Sequence, residues 1–342
     1  MTVRMAVAVL AVLAMLPAAS SPDLVASLDR TASDYFAGVA AIADVTGRDD
    51  AIDYYQRLEA DVAMQDEPPP EGTSDAAWQA TVRQIAQLDL SAARQLLARS
   101  YAPMAQIRGL GETFVQSSVD GTMQAVAVYV PSTYVPGRPS PLVVFLHGRP
   151  QTETQLLAPP FVADLAERSG AIVVAPYGRG YYDFEGSERD VYDALHAAER
   201  AFTIDPRKRY LAGYSMGGFS VFRIAPVDPG AWSAIMDISG ALVGSVAREF
   251  TQRLKNVPVY VLTGAKDDAI PTRYPAITAI YLRDAGFSVS FYSLPSGTHR
   301  LGTLLPILRL ALDDMERGIV RVPAGTSTLP LPIAPPAMGL KT

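Results

Sequence analysis

Gly213-Tyr214-Ser215-Met216-Gly217 sets a serine between two glycines, where an apolar strand-like run over 209–213 gives way to a helical pattern from about 216. The glycines permit a tight strand-to-helix turn that lifts the Ser215 hydroxyl to the end of a sheet, beside a helix N-terminus. A serine hydroxyl is a weak nucleophile and needs a base that a carboxylate orients. The chain has three histidines, at 147, 196 and 299. His196 stands mid-helix in the stretch 193–199 and reads as an ordinary surface or packing histidine. His147 precedes the serine, in Leu146-His147-Gly148. His299 follows the last strand, in Pro295-Ser296-Gly297-Thr298-His299, a loop whose proline and glycine allow it to reach across a sheet. By elimination His299 is the expected base.

The orienting acid should follow a strand between Ser215 and His299. Gly264-Ala265-Lys266-Asp267-Asp268-Ala269-Ile270-Pro271 follows the strand pattern at 259–263 and fits. Neighbouring side chains point in different directions, so one of the two aspartates faces His299. Asp267 is favoured and Asp268 is the alternative. The order Ser, Asp, His along the chain is the one that goes with a serine on such a turn.

The elements that must carry these residues are visible as a change of period. The runs at 113–119 and 123–130, joined at Asp120-Gly121, predict a hairpin. Strand patterns then alternate with helical ones: 142–146 before a helix near 153–168, 171–175 before one near 187–202, and 209–213 before one from about 216. The runs at 234–238, 259–263 and 288–293 follow, each with a helical stretch after it. Leu142-Val143-Val144-Phe145-Leu146 and its like are continuous apolar runs, as in parallel strands buried on both faces. One hairpin feeding six strand–helix units predicts an α/β fold: an open, mostly parallel eight-stranded sheet with helices on both faces. Only one helix fits between 238 and 259, so no cap domain is expected there. The loop with Tyr177, Tyr181, Tyr182 and Phe184, at the end of a strand, is expected to edge the site.

Ahead of the sheet the spacing is helical from Asp23 to about Met104, in three amphipathic stripes, the last running through Trp78, Val82, Ile85, Leu88, Ala92 and Leu96. Ser74 or Asp75 is the expected cap of that last helix. The segment carries fourteen acidic and six basic residues, a balance of −8 in a chain of net −6. It is expected to dock on the sheet near the C-terminal ends of the strands and partly roof the site, packing against the far side of the sheet being the alternative. Residues 1–20 read as an export leader: Arg4, the twelve apolar residues 5–16, then Pro17-Ala18-Ala19-Ser20 with the cut after Ser20. The predicted organisation is therefore a signal peptide at 1–20, a helical segment at 21–104, a catalytic unit at 105–321 and a Pro-rich tail at 322–342. A secreted or periplasmic protein without a membrane anchor follows.

Composition narrows the chemistry. With 49% apolar residues the chain can bury a full core. Its net charge of −6 argues against a nucleic-acid partner. The absence of cysteine excludes disulfides, thiolate nucleophiles and Cys-ligated metals. No metal site and no cofactor is expected.

The turn at 213–217, the Leu146-His147-Gly148 turn and the loops of Asp267 and His299 together resemble the α/β-hydrolase fold. The stretch 204–218 is similar to exported esterases of the polyhydroxybutyrate-depolymerase and feruloyl-esterase group, and also to prolyl-oligopeptidase-type catalytic domains. The resemblance covers about 112–320. It implies a Ser215–His299–Asp267 triad, since the family's acid lies four residues before a proline, here Pro271. It implies oxyanion donors at the backbone N–H groups of Met216 and Arg149, with His147 and Gly148 supporting that turn. Arg149 stands where depolymerase-like esterases often have cysteine, and Met216 where those peptidases have tyrosine. The segment before the sheet is too short for their β-propeller. The expected activity is cleavage of carboxylic esters, small or borne on a polymer. A peptidase or acyltransferase with the same triad, or a non-catalytic binding protein, are the alternatives.

Overall fold

The computed structural model describes residues 73–180, 184–254 and 256–322, together with Ala26, Arg30, Ser33, Asp61, Pro69 and Leu331. The expected leader, the first two helical stripes, Tyr181, Tyr182 and nearly all of the Pro-rich end lie outside these residues. Eight strands form one sheet: β1 (Gly109–Gln116), β2 (Met123–Val130), β3 (Ser140–Leu146), β4 (Ile172–Pro176), β5 (Ile204–Tyr214), β6 (Ala234–Ile238), β7 (Val259–Gly264) and β8 (Val289–Leu294). Their order is β1-β2-β4-β3-β5-β6-β7-β8. β2 runs antiparallel to both its neighbours, and every other pair is parallel.

The helices are α1 (Asp75–Ala98), α2 (Glu153–Leu157), α3 (Pro160–Ser169), α4 (Glu188–Ala201), α5 (Met216–Ile224), α6 (Gly244–Arg253), α7 (Arg273–Asp284) and α8 (Leu305–Arg317). Alternation along each strand decides which helices it meets. Val144, Val174, Leu211, Ile235 and Val261 point to the face covered by α4, α5, α6 and α7, where Phe222 and Phe250 are fully buried. Phe145, Val173, Ala212, Met236 and Leu262 point to the other face, under α2, α3 and α8. Such burial contributes about 1.5–3 kcal/mol for each large side chain.

Three boundaries differ from the sequence expectation. The helix predicted at 153–168 is two helices, because Pro159 and Pro160 cannot continue α2 and Pro160 instead opens α3. β1 spans 109–116 rather than 113–119. The chain turns earlier, with the Ser117 N–H donating to the Thr122 carbonyl, the Gly121 N–H donating to the Ser117 carbonyl, and Gly121 at φ 77°. β5 begins at Ile204, ahead of the expected 209, pairing across an irregular register with Ser140.

The third helical stripe is α1. Its cap is Ser74, whose hydroxyl accepts the Ala77 N–H at 3.3 Å. Trp78, Val82 and Ile85 bury with Ala158, beyond α2. Ala86, Leu90, Ala93 and Leu96 bury with Phe114 of β1, Ala125 of β2 and Tyr177, just past the end of β4. α1 thus lies along the hairpin edge and touches loops at the C-terminal ends of β3 and β4. Between β6 and β7 stands the single helix α6, as expected. No helix among the described residues is long and apolar enough to cross a membrane.

From β3 the chain crosses to β4 on one side, then returns to β5 on the other. The carboxyl ends of β3 and β5 therefore flank the point where strand order reverses, the crevice in which open α/β sheets bind ligands. Leu146 pairs with Gly213. The register then brings the residues after them, His147-Gly148 and Tyr214-Ser215, side by side.

Candidate active site

Ser215 joins β5 to α5 with φ 54° and ψ −113°, a conformation that L-residues rarely adopt. The neighbouring glycines make it possible. A Cβ on Gly213 would lie 2.0 Å from the Gly217 carbonyl oxygen, and one on Gly217 would lie 2.3 Å from the Leu146 carbonyl oxygen. The Ser215 N–H donates to the Ile238 carbonyl (2.8 Å) and the Gly217 N–H to the His147 carbonyl (3.0 Å). The turn is pinned to both adjacent strands, as strain of this size requires.

The loops after β7 and β8 meet over this turn. Ser215 Oγ lies 2.9 Å from His299 Nε2, and His299 Nδ1 lies 2.9 and 3.0 Å from the two carboxylate oxygens of Asp267. The Asp267 side chain is fully buried, and that of His299 is 19% exposed. Asp267 Oδ1 also accepts the N–H groups of Ile270 (2.7 Å) and Ala269 (3.1 Å), which fixes the carboxylate plane. Asp268 faces solvent. The His299 backbone is held by the Tyr214 hydroxyl, which donates to its carbonyl at 2.7 Å. Burial pushes the Tyr214 phenol far above its ordinary value, so it stays a donor. A serine, an imidazole and a carboxylate in this line can pass a proton from the hydroxyl to the ring while the carboxylate stabilises the cation.

Gly148 lies against the serine: a Cβ there would be 3.1 Å from Ser215 Cβ and 3.0 Å from the Tyr214 ring. Arg149 is the next residue after this contact. Met216 is the first residue of α5, where an N–H has no acceptor within the helix. His147 is buried, with its ring nitrogens each 2.9 Å from a carbonyl oxygen, Nδ1 from that of Gly148 and Nε2 from that of Tyr177. Its ring thereby links the turn after β3 to the end of β4. His196 is exposed on α4.

The aromatic loop does not edge the site as expected, where it is described. Tyr177 and Phe184 are buried and pack on the His147 ring, at centroid distances of 6.1 and 5.1 Å. A Cβ on Gly178 would lie 2.3 Å from the Phe184 ring, so the loop folds inward tightly. Arg179 ties it down through Asp190 of α4 and Asp120 of the hairpin turn.

Sequence reasoning passed over Asp237. It lies in the middle of β6, fully buried, opposite Gly213. Its Oδ1 accepts the Gly240 N–H at 2.8 Å, while Oδ2 has no partner. Cβ atoms on Gly218 or Gly240 would come within 2.6 and 2.5 Å of Oδ1, so both must be glycine. An aspartate inside the run Ala234-Ile235-Met236-Asp237-Ile238 was the available signal. Burial drives its pKa well above the ordinary 3.8, which favours the protonated form in the fold. The unfolded chain releases that proton above pH about 4, so stability is full below this value and falls as pH rises toward the folded pKa. Asp237→Asn should fold, flatten this slope, and equal or exceed the parent in urea unfolding at pH 8. An Asn variant with the parent's slope would show that Asp237 is ionised in the fold.

Among the described residues no group of three or more His, Asp or Glu side chains could hold a metal ion. The Esterase family model matches residues 117–285, which carry the hairpin turn, β2 to β7, Ser215 and Asp267. A bifunctional acetylxylan esterase/xylanase of Neocallimastix patriciarum is 28% identical over 155 residues, 44% of this chain and 22% of its own. A thermostable esterase superposes with a TM-score of 0.50 at 20% identity, covering 61% of this chain and 62% of the other. A ferulic acid esterase does so with a TM-score of 0.51 at 19% identity, over 61% and 97%. The chain thus spans under a quarter of the length of the curated relative, and less than two thirds of the thermostable esterase.

Proposed function

We propose that this α/β-hydrolase cleaves carboxylic esters through an acyl-enzyme on Ser215. The observation that carries the reading is the hydrogen-bonded line from Ser215 Oγ through His299 to the buried Asp267, on a turn that no relaxed backbone would form. His299 Nε2 takes the hydroxyl proton as Oγ attacks the ester carbonyl, and Asp267 holds Nδ1–H and with it the productive tautomer. The N–H groups of Met216 and Arg149 receive the oxyanion, each contributing about 2.7–4 kcal/mol to the transition state. The protonated His299 passes its proton to the leaving alcohol. Water then gives its proton to the same nitrogen as it attacks the acyl carbonyl, and the imidazolium returns that proton to Ser215 Oγ as the Oγ–acyl bond breaks and the acid leaves.

The match to the Esterase family supports the ester rather than the amide branch. The acetylxylan esterase relative supports short acyl esters, carried on a polymer, as the substrate class. Among the described residues only the helix α6 stands between β6 and β7, with no inserted cap, which favours a bulky carrier. The test is a panel on the mature protein: p-nitrophenyl acetate to decanoate, methyl ferulate, acetylated xylan and aminoacyl anilides. Turnover of the short or aryl esters, with inert anilides, is expected. Faster anilide cleavage would transfer the assignment to the peptidases. The leader at 1–20 supports export, and N-terminal sequencing of the secreted protein should begin at Ser21.

A further inference from the structure

The segment after β3 is held by a residue distant in sequence. Asp61, 2% exposed, accepts the Thr152 hydroxyl at Oδ1 (2.7 Å) and the Thr154 hydroxyl at Oδ2 (3.2 Å). Both threonines are themselves buried, with their hydroxyl oxygens 3.0 Å apart. Thr152 Oγ1 also accepts the Gln155 N–H at 3.3 Å, which makes it the cap of α2. One hydroxyl thereby joins the start of α2 to the carboxylate. Hydrogen bonds to an ionised acceptor are roughly twice as strong as neutral ones, and a buried carboxylate holds its donors in place because it has no water to fall back on. A few residues further on, Trp78, Val82 and Ile85 of α1 cover Ala158. The stretch 149–158 is thus gripped from the helical side at both ends of α2. At its start, Gly148 rests on Ser215.

We propose that Asp61 is a positioning residue for the oxyanion site. Through Thr152 and Thr154 it fixes the segment that begins at Arg149, and so the place of the Arg149 N–H relative to Ser215 Oγ. The inference rests on the esterase reading and its use of Arg149 as a donor. It gives a residue ahead of the sheet a part in the chemical step. Misplacing a catalytic group by about 1 Å costs as much as 100-fold in rate, and loss of one oxyanion donor about 100- to 1000-fold in kcat.

The experiment compares Asp61→Ala with the parent in the full chain, using p-nitrophenyl acetate and a trifluoromethyl ketone whose hemiketal oxygen sits where the oxyanion does. Asp61→Ala should lower kcat about 10- to 100-fold, leave KM within about two-fold, and weaken the ketone by the same factor as kcat. The pH midpoint of kcat/KM, set by His299, should not move, and Asp61→Asn, which keeps one acceptor, should recover part of the loss. Thr154→Val removes one hydroxyl and no cap. It should show a smaller loss in the same proportion, and it decides the matter if Asp61→Ala does not fold. A folded Asp61→Ala with the parent's kcat, or a loss confined to KM, or a loss of kcat with unchanged ketone affinity would overturn the positioning role. An inert parent protein would instead remove the esterase reading beneath it.

Discussion

Ser215→Ala is expected to lower kcat for p-nitrophenyl acetate by about a million-fold, the scale on which a nucleophile is lost from a triad that acts as a unit. Labelling by a fluorophosphonate probe should vanish with it. His299 cannot substitute, since its Nε2 faces the serine oxygen rather than a substrate carbonyl. The fold should persist, because the turn is held by the Ser215 N–H on the Ile238 carbonyl and by the Gly217 N–H on the His147 carbonyl, neither of which uses the hydroxyl. A second measurement separates nucleophile from scaffold. Residues forced into sparsely populated backbone regions cost about 1–3 kcal/mol. At φ 54° alanine keeps that strain and glycine relieves it, so Ser215→Gly should unfold at a higher temperature than Ser215→Ala while being equally inactive. Substantial turnover by the purified alanine variant would falsify the nucleophile. Equal melting points for the two variants would mean that the elbow stores no strain.

The residues of the hydrogen-bonded line Ser215–His299–Asp267 were readable from the chain because their signals are local. The glycines flanking Ser215 announce a turn that only they can make, His299 is the last of three histidines, and Asp267 sits just beyond an apolar strand. The strands were readable for the same reason, since buried parallel strands are unbroken apolar runs. What escaped the sequence was set by contacts between distant segments. Asp237 looks like one more strand residue until Gly218 and Gly240 are seen to close on it. Tyr177 and Phe184 carry nothing in their spacing that says they turn inward onto His147 rather than outward to substrate. Asp61 and Thr152 are ninety-one residues apart, and no periodicity links them. The break at Pro159 and Pro160 is by contrast a local signal, since proline cannot continue a helix.

Asp267→Asn is expected to reduce kcat about 10,000-fold and Asp268→Asn by less than about three-fold. The asymmetry follows from what each carboxylate touches. Asp267 Oδ1 accepts from Ala269 and Ile270, and an asparagine oxygen can keep both of those bonds. Its amide nitrogen must then take the other position, 2.9 Å from His299 Nδ1. The Nδ1–H then opposes that N–H and keeps only Oδ1, at 3.0 Å and already shared by two backbone donors, so the ring is biased to carry its proton on Nε2. That nitrogen points at Ser215 Oγ and must be bare to accept a proton. The loop geometry survives while the base is disabled, so the variant should lose kcat with KM and melting temperature nearly unchanged. Asp267→Ala tests the same point differently. It drops both N–H bonds of the turn as well, and should lose stability in addition to rate. Asp268 is exposed, and its amide would meet water. If Asp268→Asn were the slower enzyme, the loop would have to rotate in solution to present the neighbouring carboxylate. The buried Asp267 would then be a turn residue whose place beside His299 is only structural.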